Sequence, residues 1–185
     1  GEVKTGVNYA MVISTNGGLW RYIIGDTVMF TSLFPHKIKI TGRTRHFINA
    51  FGEELIIDNA EKGLKKACEA TGAIISEYTA GPVFMGENNK GSHQWIIEFE
   101  KEPDNLEAFA QQLDTALQEL NSDYEAKRYK NLTLLQLKLV NAPKGTFYEW
   151  MKQRGKVGGQ NKIPRLANNR EYLDSLLKFM QTDSQ

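Results

Sequence analysis

The fold of this chain is constrained above all by a change in the spacing of its apolar residues near residue 58. Before that point, apolar and polar side chains alternate in short runs bounded by Gly, Pro and Asn, which is typical of strands. After it, apolar residues recur every three or four positions in two long segments, which is typical of amphipathic helices. The strands predicted in the first part are residues 9–15, 19–24, 27–31, 37–41 and 46–49. Hairpins alone bury too little surface to be stable, so this part must pack on the rest.

The second part of the chain predicts a compact α+β unit. Asp58 and Glu61 are typical of a capping box at the start of a helix that Gly72 ends, and Asp104 opens a second helix. The further predictions are strands at 73–80, 94–100 and 132–140, and helices at 145–154 and 169–180. The order β-α-β-β-α-β resembles a split βαβ sheet with helices on one face. The predicted fold is therefore a β-hairpin region followed by a mixed sheet with flanking helices.

The amino-acid composition limits the classes of binding partner that we expect for this chain. The chain has 23 basic and 22 acidic residues, which argues against a general electrostatic attraction to nucleic acid or to an anionic membrane. No apolar run approaches the roughly 18 to 20 residues that span a bilayer. Cys68 is the only cysteine, so the sequence predicts no disulfide framework and no metal site, and a reducing cytoplasm fits best. Because the chain starts GEVKTGVNYA without Met, we expect a fragment.

The run GGLWRYIIGDTV, residues 17–28, contains two candidate binding residues. Asp26 follows a glycine at a predicted strand end, where a carboxylate can accept from the two hydroxyls of a ribose. The alternative is an aspartate that opens a turn. Arg21 could pair with Asp26 or with a phosphate, and the alternative is a solvated arginine on an edge strand.

Two other segments contain basic residues close to glycines, at a predicted strand break and in a predicted loop. In KITGRTRHFINAFGEEL, residues 39–55, Arg43 follows Gly42 at a strand break, where it could clamp a phosphate or lie in an ordinary basic turn. In GKVGGQNKIPR, residues 155–165, a loop presents Lys156 or Lys162, and the alternative for either is a solvated lysine. This loop lacks the spacing of a P-loop.

Taken together, three segments in this order resemble the C-terminal part of a plant family. They are LWRYIIGDTV, FPHKIKITGRTRHFINAFGEEL and GTFYEWMKQRGKVGGQNKIPR. The family is that of the Gretchen Hagen acyl-acid amido synthetases, known from auxin conjugation, which belong to the adenylate-forming enzymes. Its members use ATP and Mg²⁺ to adenylate a carboxylic acid, and an amino acid amine then displaces the adenylate to give an amide.

The resemblance implies a role for each candidate residue. Asp26 would hold the ribose hydroxyls of ATP with Arg21 in support, and Arg43 would lie near the hinge and the α-phosphate. Lys162 would neutralise charge as the substrate carboxylate attacks the α-phosphorus. Position 46 is His, where the wider group has Asp in its Gly-Arg-x-x-Asp hinge.

The resemblance also implies a division of the chain. Residues 1–45 are expected to be the tail of the large adenylation domain, and residues 46–185 a mobile C-terminal domain. The rest of the large domain is absent, so the chain alone is expected to be inactive. The Gly-Glu-Glu-Leu run at 52–55 points to a bacterial-type relative. Two alternatives remain: a non-catalytic ferredoxin-like binding or regulatory module, and an adenylate-forming ligase with a thiol acceptor.

Overall fold

A computed structural model of the chain describes residues 2–43, 47–84, 90–131, 133–155 and 163–182, with the backbone alone at residue 43. Its strands are β1 (Asn8–Ile13), β2 (Tyr22–Leu33), β3 (His36–Arg43), β4 (Phe47–Ile48), β5 (Leu55–Ile56), β6 (Ile74–Val83), β7 (Ser92–Lys101) and β8 (Lys138–Ala142). Its helices are α1 (Ile57–Thr71), α2 (Leu106–Leu120), α3 (Ser122–Arg128), α4 (Thr146–Gln153) and α5 (Glu171–Thr182). The mixed α+β fold predicted from the sequence is confirmed.

The first sheet is antiparallel in the order β1-β2-β3. Gly25 and Asp26, where the sequence predicted a strand to end, lie inside β2, so the two predicted strands there are one strand. The ladder accommodates them because Gly25 takes a φ of 91° and the register shifts beside them, between Thr27 and Val28. Between the paired residues Ile13 and Tyr22 the chain turns tightly at Asn16-Gly17-Gly18, as these residue types favour. Gly18 takes a φ of 99° and donates to Thr15 O at 3.3 Å, and Thr15 N donates to Leu19 O at 2.9 Å.

Helix α1 begins directly after β5, one residue before Asp58. The helix therefore does not use Asp58 as its cap; Asn59 Oδ1 accepts from the Ile56 backbone N–H at 3.3 Å instead. Asp58 lies in the first turn and pairs with Lys62 at 2.6 Å and with Lys39 of β3 at 3.5 Å. The predicted end is confirmed, because Gly72 takes a φ of 69° and donates to Cys68 O.

The second sheet has the order β6-β7-β8, with β6 antiparallel and β8 parallel to the central β7. The strand at 37–41, predicted to open the split βαβ order, pairs in the first sheet instead, and β4 and β5 form a separate two-stranded ladder. Strands that are consecutive in sequence tend to pair with each other, and β3 follows β2 directly, which accounts for this difference.

Helices cover both faces of the second sheet, whereas the sequence predicted helices on one face. Successive β7 residues point to opposite sides. Trp95 and Ile97 pack with α1 and α2, while Ile96 packs with α4 and α5. The uninterrupted burial of residues 95–99 in β7 follows from this three-layer arrangement.

The remaining helices match their predicted positions to within two residues, and α3 was not predicted. Asn105, not Asp104, caps α2: its side chain accepts from the N–H groups of Glu107 and Ala108, both at 2.9 Å. The chain from Leu134 to Leu137, predicted as strand, lies outside β8, although both leucines are buried.

Candidate functional site

Asp26 and Arg43 occupy facing positions of two adjacent strands. In the ladder of β2 and β3, the Cα of Asp26 is the register partner of the Cα of Arg43, and Thr27 is the partner of Gly42. Asp26 is half-buried. Asp26 and Arg43, seventeen positions apart in the sequence, thus occupy facing backbone positions, a register in which residues of opposite charge are favourable.

The amino end of α1 lies beside this pair of strands. A Cβ atom at Gly42 would lie 3.4 Å from Thr27 Oγ1 and 3.8 Å from the Cβ of Ile57, the first residue of α1. These distances are those of ordinary van der Waals contacts, so Gly42 lies directly against the first residue of α1. The unpaired amides at the start of a helix carry partial positive charge, and Asp58 in the first turn of α1 offsets part of that charge.

Arg21 does not lie in a strand. It occupies the loop before β2 with a φ of 48°, in the left-handed region, and its backbone N–H donates to Ser14 Oγ at 3.0 Å. Its side chain is exposed. The strand predicted at 19–24 is therefore wrong at Arg21, because a positive φ breaks the extended backbone.

Three residues singled out in the sequence lie outside the described residues. These are Lys156, Lys162 and His46. The described chain resumes at Ile163, and the carbonyl of Pro164 accepts from Thr79 Oγ1 of β6 at 2.8 Å.

Sequence analysis missed Glu98, which fixes the start of α4. This buried carboxylate accepts from Gly145 N at 2.9 Å and from Ser76 Oγ at 3.1 Å through one oxygen, and from Phe147 N at 3.1 Å through the other. Gly145 has a φ of 84°, which favours glycine. The Gly-Thr-Phe segment is thus held on the second sheet by a carboxylate. The available signal was an acidic residue inside the apolar run QWIIEFE.

A second missed feature is the buried pair of Glu53 and His93. Glu53 Oε1 lies 2.8 Å from His93 Nε2, and neither side chain is exposed to solvent. Burial alone raises the pKa of Glu53, but the hydrogen bond and charge of His93, with the amides of Glu53 and Phe51, hold that pKa below its usual value. Nothing in the sequence distinguished Glu53 from Glu54.

Within the described ranges, no set of three or more His, Cys, Asp or Glu side chains is grouped to bind a metal ion. The helices of that same part of the chain are too short or too polar to cross a bilayer.

Two family models match the chain in sequence. The GH3 family central domain matches residues 1–43, and the GH3 family C-terminal domain matches residues 58–171. The chain is also 29% identical over 194 residues to indole-3-acetic acid-amido synthetase GH3.10 of Arabidopsis thaliana, covering 95% of this chain and 31% of the relative.

Two solved structures share the fold. GH3.15 acyl acid amido synthetase superposes with a TM-score of 0.75 at 22% identity, and AtGH3.15 acyl acid amido synthetase in complex with 2,4-DB with a TM-score of 0.72 at 21% identity. Each match covers 96% of this chain and 33% of the neighbour. The chain thus spans about a third of the length of the relatives it matches. Because the C-terminal family model alone matches more than half of the chain, the protein belongs to the GH3 family, the Gretchen Hagen family that its motifs resemble.

Proposed function

We propose that this chain is the C-terminal portion of an ATP-dependent acyl-acid amido synthetase. The complete enzyme adenylates a carboxylic acid and transfers the acyl group to the amine of an amino acid. The family membership and the synthetase activity in the names of the relatives support this proposal.

The observation that carries the proposal is the register of β2 and β3. It places Asp26 opposite Arg43, next to the amino end of α1. A carboxylate that accepts from ribose hydroxyls and a guanidinium that binds an α-phosphate must lie within the length of one nucleotide, and neighbouring strand positions satisfy that requirement. Arg21 is proposed to support the nucleotide from the loop before β2.

The proposed reaction has two steps. An oxygen of the substrate carboxylate attacks the α-phosphorus of ATP, the bond from that phosphorus to the bridging oxygen breaks, and pyrophosphate leaves. Mg²⁺ bound with the triphosphate would supply positive charge for the leaving group. Lys162 neutralises the negative charge that develops on the phosphate oxygens. The nitrogen of the amino acid then attacks the acyl carbon and loses a proton, and AMP leaves.

Carboxylate-dependent exchange of pyrophosphate into ATP tests this function in the full-length parent. The assay uses a panel of aryl and alkyl acids with the wild type, Asp26→Ala and Lys162→Ala. Loss of two charge-assisted bonds in Asp26→Ala is expected to weaken ATP binding about 30- to 1000-fold, which corresponds to about 2–4 kcal/mol. Lys162→Ala is expected to lower the exchange rate more than the affinity for ATP, since its contact acts in the transition state.

Asp123→Ala and Lys178→Ala are matched controls, because both residues are exposed on helices of the C-terminal part. Unchanged ATP affinity in Asp26→Ala would refute the ribose assignment. An unchanged rate in Lys162→Ala would move the assigned role to Lys156. A folded parent that does not bind ATP would favour the non-catalytic module, and acyl transfer to a thiol but not to any amine would favour the thiol-accepting ligase.

The division of the chain near residue 45 is part of the same proposal. Two separate family models, one ending at residue 43 and the other starting at residue 58, support a tail of the large domain followed by a mobile C-terminal domain. A bacterial-type parent is proposed from the run at 52–55, and a cytoplasmic location from the single cysteine.

A further inference from the structure

The ladder between β2 and β3 contains a β-bulge at Thr41. Val28 of β2 is the register partner of Ile40 on β3. The preceding residue of β2, Thr27, is the partner of Gly42, so Thr41 is an extra residue on β3 between the two pairs. A bulge of this kind offsets the register of the strand that carries it, and such bulges are frequent beside binding sites.

The bulge decides which residue of β3 faces Asp26. With the bulge, that residue is Arg43. Without it, a regular ladder would put Gly42 opposite Asp26, and Arg43 would face Gly25, one residue or about 3.4 Å along the strand. A shift by one residue also exchanges the two sides of a strand. The pairing of the two proposed nucleotide-binding residues therefore requires the bulge.

Strand β1 constrains the register of Asp26 less than β3 does. The flanking register pairs of β1 with β2 are Ala10 with Thr27 and Val12 with Ile23. Between these pairs β2 has three residues, 24–26, opposite the single residue Met11 of β1. The regular pairing at Asp26 is the one with β3, so the shape of β3 determines what Asp26 faces.

The Thr41 side chain ties the bulge to both other strands. Its hydroxyl oxygen lies 2.7 Å from Asn8 Oδ1 of β1 and 3.2 Å from Thr27 Oγ1 of β2. A hydroxyl has one proton, so Thr41 donates to the amide oxygen of Asn8 and accepts from Thr27. The residue is only 6% exposed, so water cannot readily replace these partners. The extra residue is thus fixed on the neighbour of Asp26 in the sequence.

We propose that Thr41 is a positioning residue for nucleotide binding. Its hydroxyl holds the bulge, and the bulge keeps Arg43 opposite Asp26. The observation that carries this inference is that the register shift falls on a buried threonine whose hydroxyl bonds to both neighbouring strands. The inference rests on the proposed function, because it needs Asp26 and Arg43 to bind the same nucleotide.

NMR spectroscopy of the present chain tests the register without any ligand. In the wild type, nuclear Overhauser contacts are expected between the backbone protons of Asp26 and Arg43. Thr41→Val keeps the shape of the side chain but removes the hydroxyl, so contacts of Asp26 with Gly42 are expected to appear. Thr41→Ser keeps the hydroxyl and should keep the wild-type contacts. Unchanged contacts in Thr41→Val would overturn the proposal, and contacts between β6 and β7 in the same spectra show that the variant is folded.

Titration of the full-length parent with ATP tests the link to binding. Thr41→Val is expected to raise the Kd for ATP at least about tenfold, because a displaced carboxylate or guanidinium loses a charge-assisted bond. Thr41→Ser is expected to restore the Kd to within about threefold of the wild type, since it retains the hydroxyl. The losses in Thr41→Val and Asp26→Ala should not multiply in the double variant, because Thr41 acts through the placement of Asp26.

Thr31→Val is the matched control. Thr31 is the extra residue at the other bulge of the same ladder, and its exposed hydroxyl donates to Lys37 O at 3.3 Å. The control should change neither the Kd for ATP nor the contacts of Asp26. A normal Kd in Thr41→Val, or losses that multiply in the double variant, would overturn the proposal. A wild-type parent that does not bind ATP would refute the proposed function and the link to binding, and the NMR contacts would still decide whether Thr41 sets the register.

Discussion

At the scale of single residues, the buried pair of Glu53 and His93 links pH to stability. Because His93 and nearby amides hold the pKa of Glu53 below 4.5, its usual value, the folded chain binds fewer protons than the unfolded chain as the pH falls through that value. The stability that the Glu53 carboxylate contributes is therefore fully present above about pH 4.5 and is lost as the pH falls through the lower, folded pKa.

Urea unfolding of the wild type and of the double variant Glu53→Gln/His93→Gln checks this prediction. The double variant keeps an amide hydrogen bond but removes both titrating groups. The difference in unfolding free energy between the two proteins is expected to change as the pH falls from about 4.5 to about 3, in the direction of lost wild-type stability. Glu102→Gln, at an exposed position, is the control. A difference that stays constant over this range would contradict the prediction.

At the scale of secondary-structure elements, the start of α2 depends on which of two neighbouring residues caps the helix. Asn105 accepts two backbone N–H groups, whereas the sequence favoured Asp104. We expect Asn105→Ala to destabilise the fold by about 1 kcal/mol and Asp104→Ala to have an effect within about 0.5 kcal/mol. Thermal or urea unfolding of the two variants measures both values. Equal losses, or a larger loss for Asp104→Ala, would mean that Asp104 is the cap in solution.

Secondary-structure elements were predictable where the spacing of apolar residues repeated over a long segment and where the last residue required a specific backbone conformation. Helix α1 ends at Gly72 because only its left-handed backbone closes the last turn, and that signal is local. Strand β2 was divided in error, because a glycine and an aspartate inside an apolar run look like a turn, and only the pairing with β3 shows a continuous strand. The facing positions of Asp26 and Arg43, and the contact of Glu53 with His93, depend on tertiary pairing that spacing does not encode.

At the scale of the whole molecule, the two sheets differ in how much of their surface is covered by other secondary-structure elements. The second sheet lies between two helical layers, and Trp95, Ile96 and Ile97 of its central strand are fully buried. The first sheet contacts the rest mainly where β3 meets α1, and apolar side chains on it stay exposed, including Ile40 at 64% and Trp20, in the loop before β2, at 82%.

This difference predicts two levels of amide protection in the present chain. Opening of a segment costs less when it has few buried contacts, so amides of β1 to β3 are expected to exchange at least about tenfold faster than those of β6 and β7, after correction for intrinsic rates. Hydrogen exchange followed by mass spectrometry measures both sets in one sample. Peptides from α1, which contacts both regions, provide the internal reference. If β1 to β3 were protected as strongly as β7, the first sheet would belong to the same cooperative unit as the second, and a hinge near residue 45 would have no basis in stability.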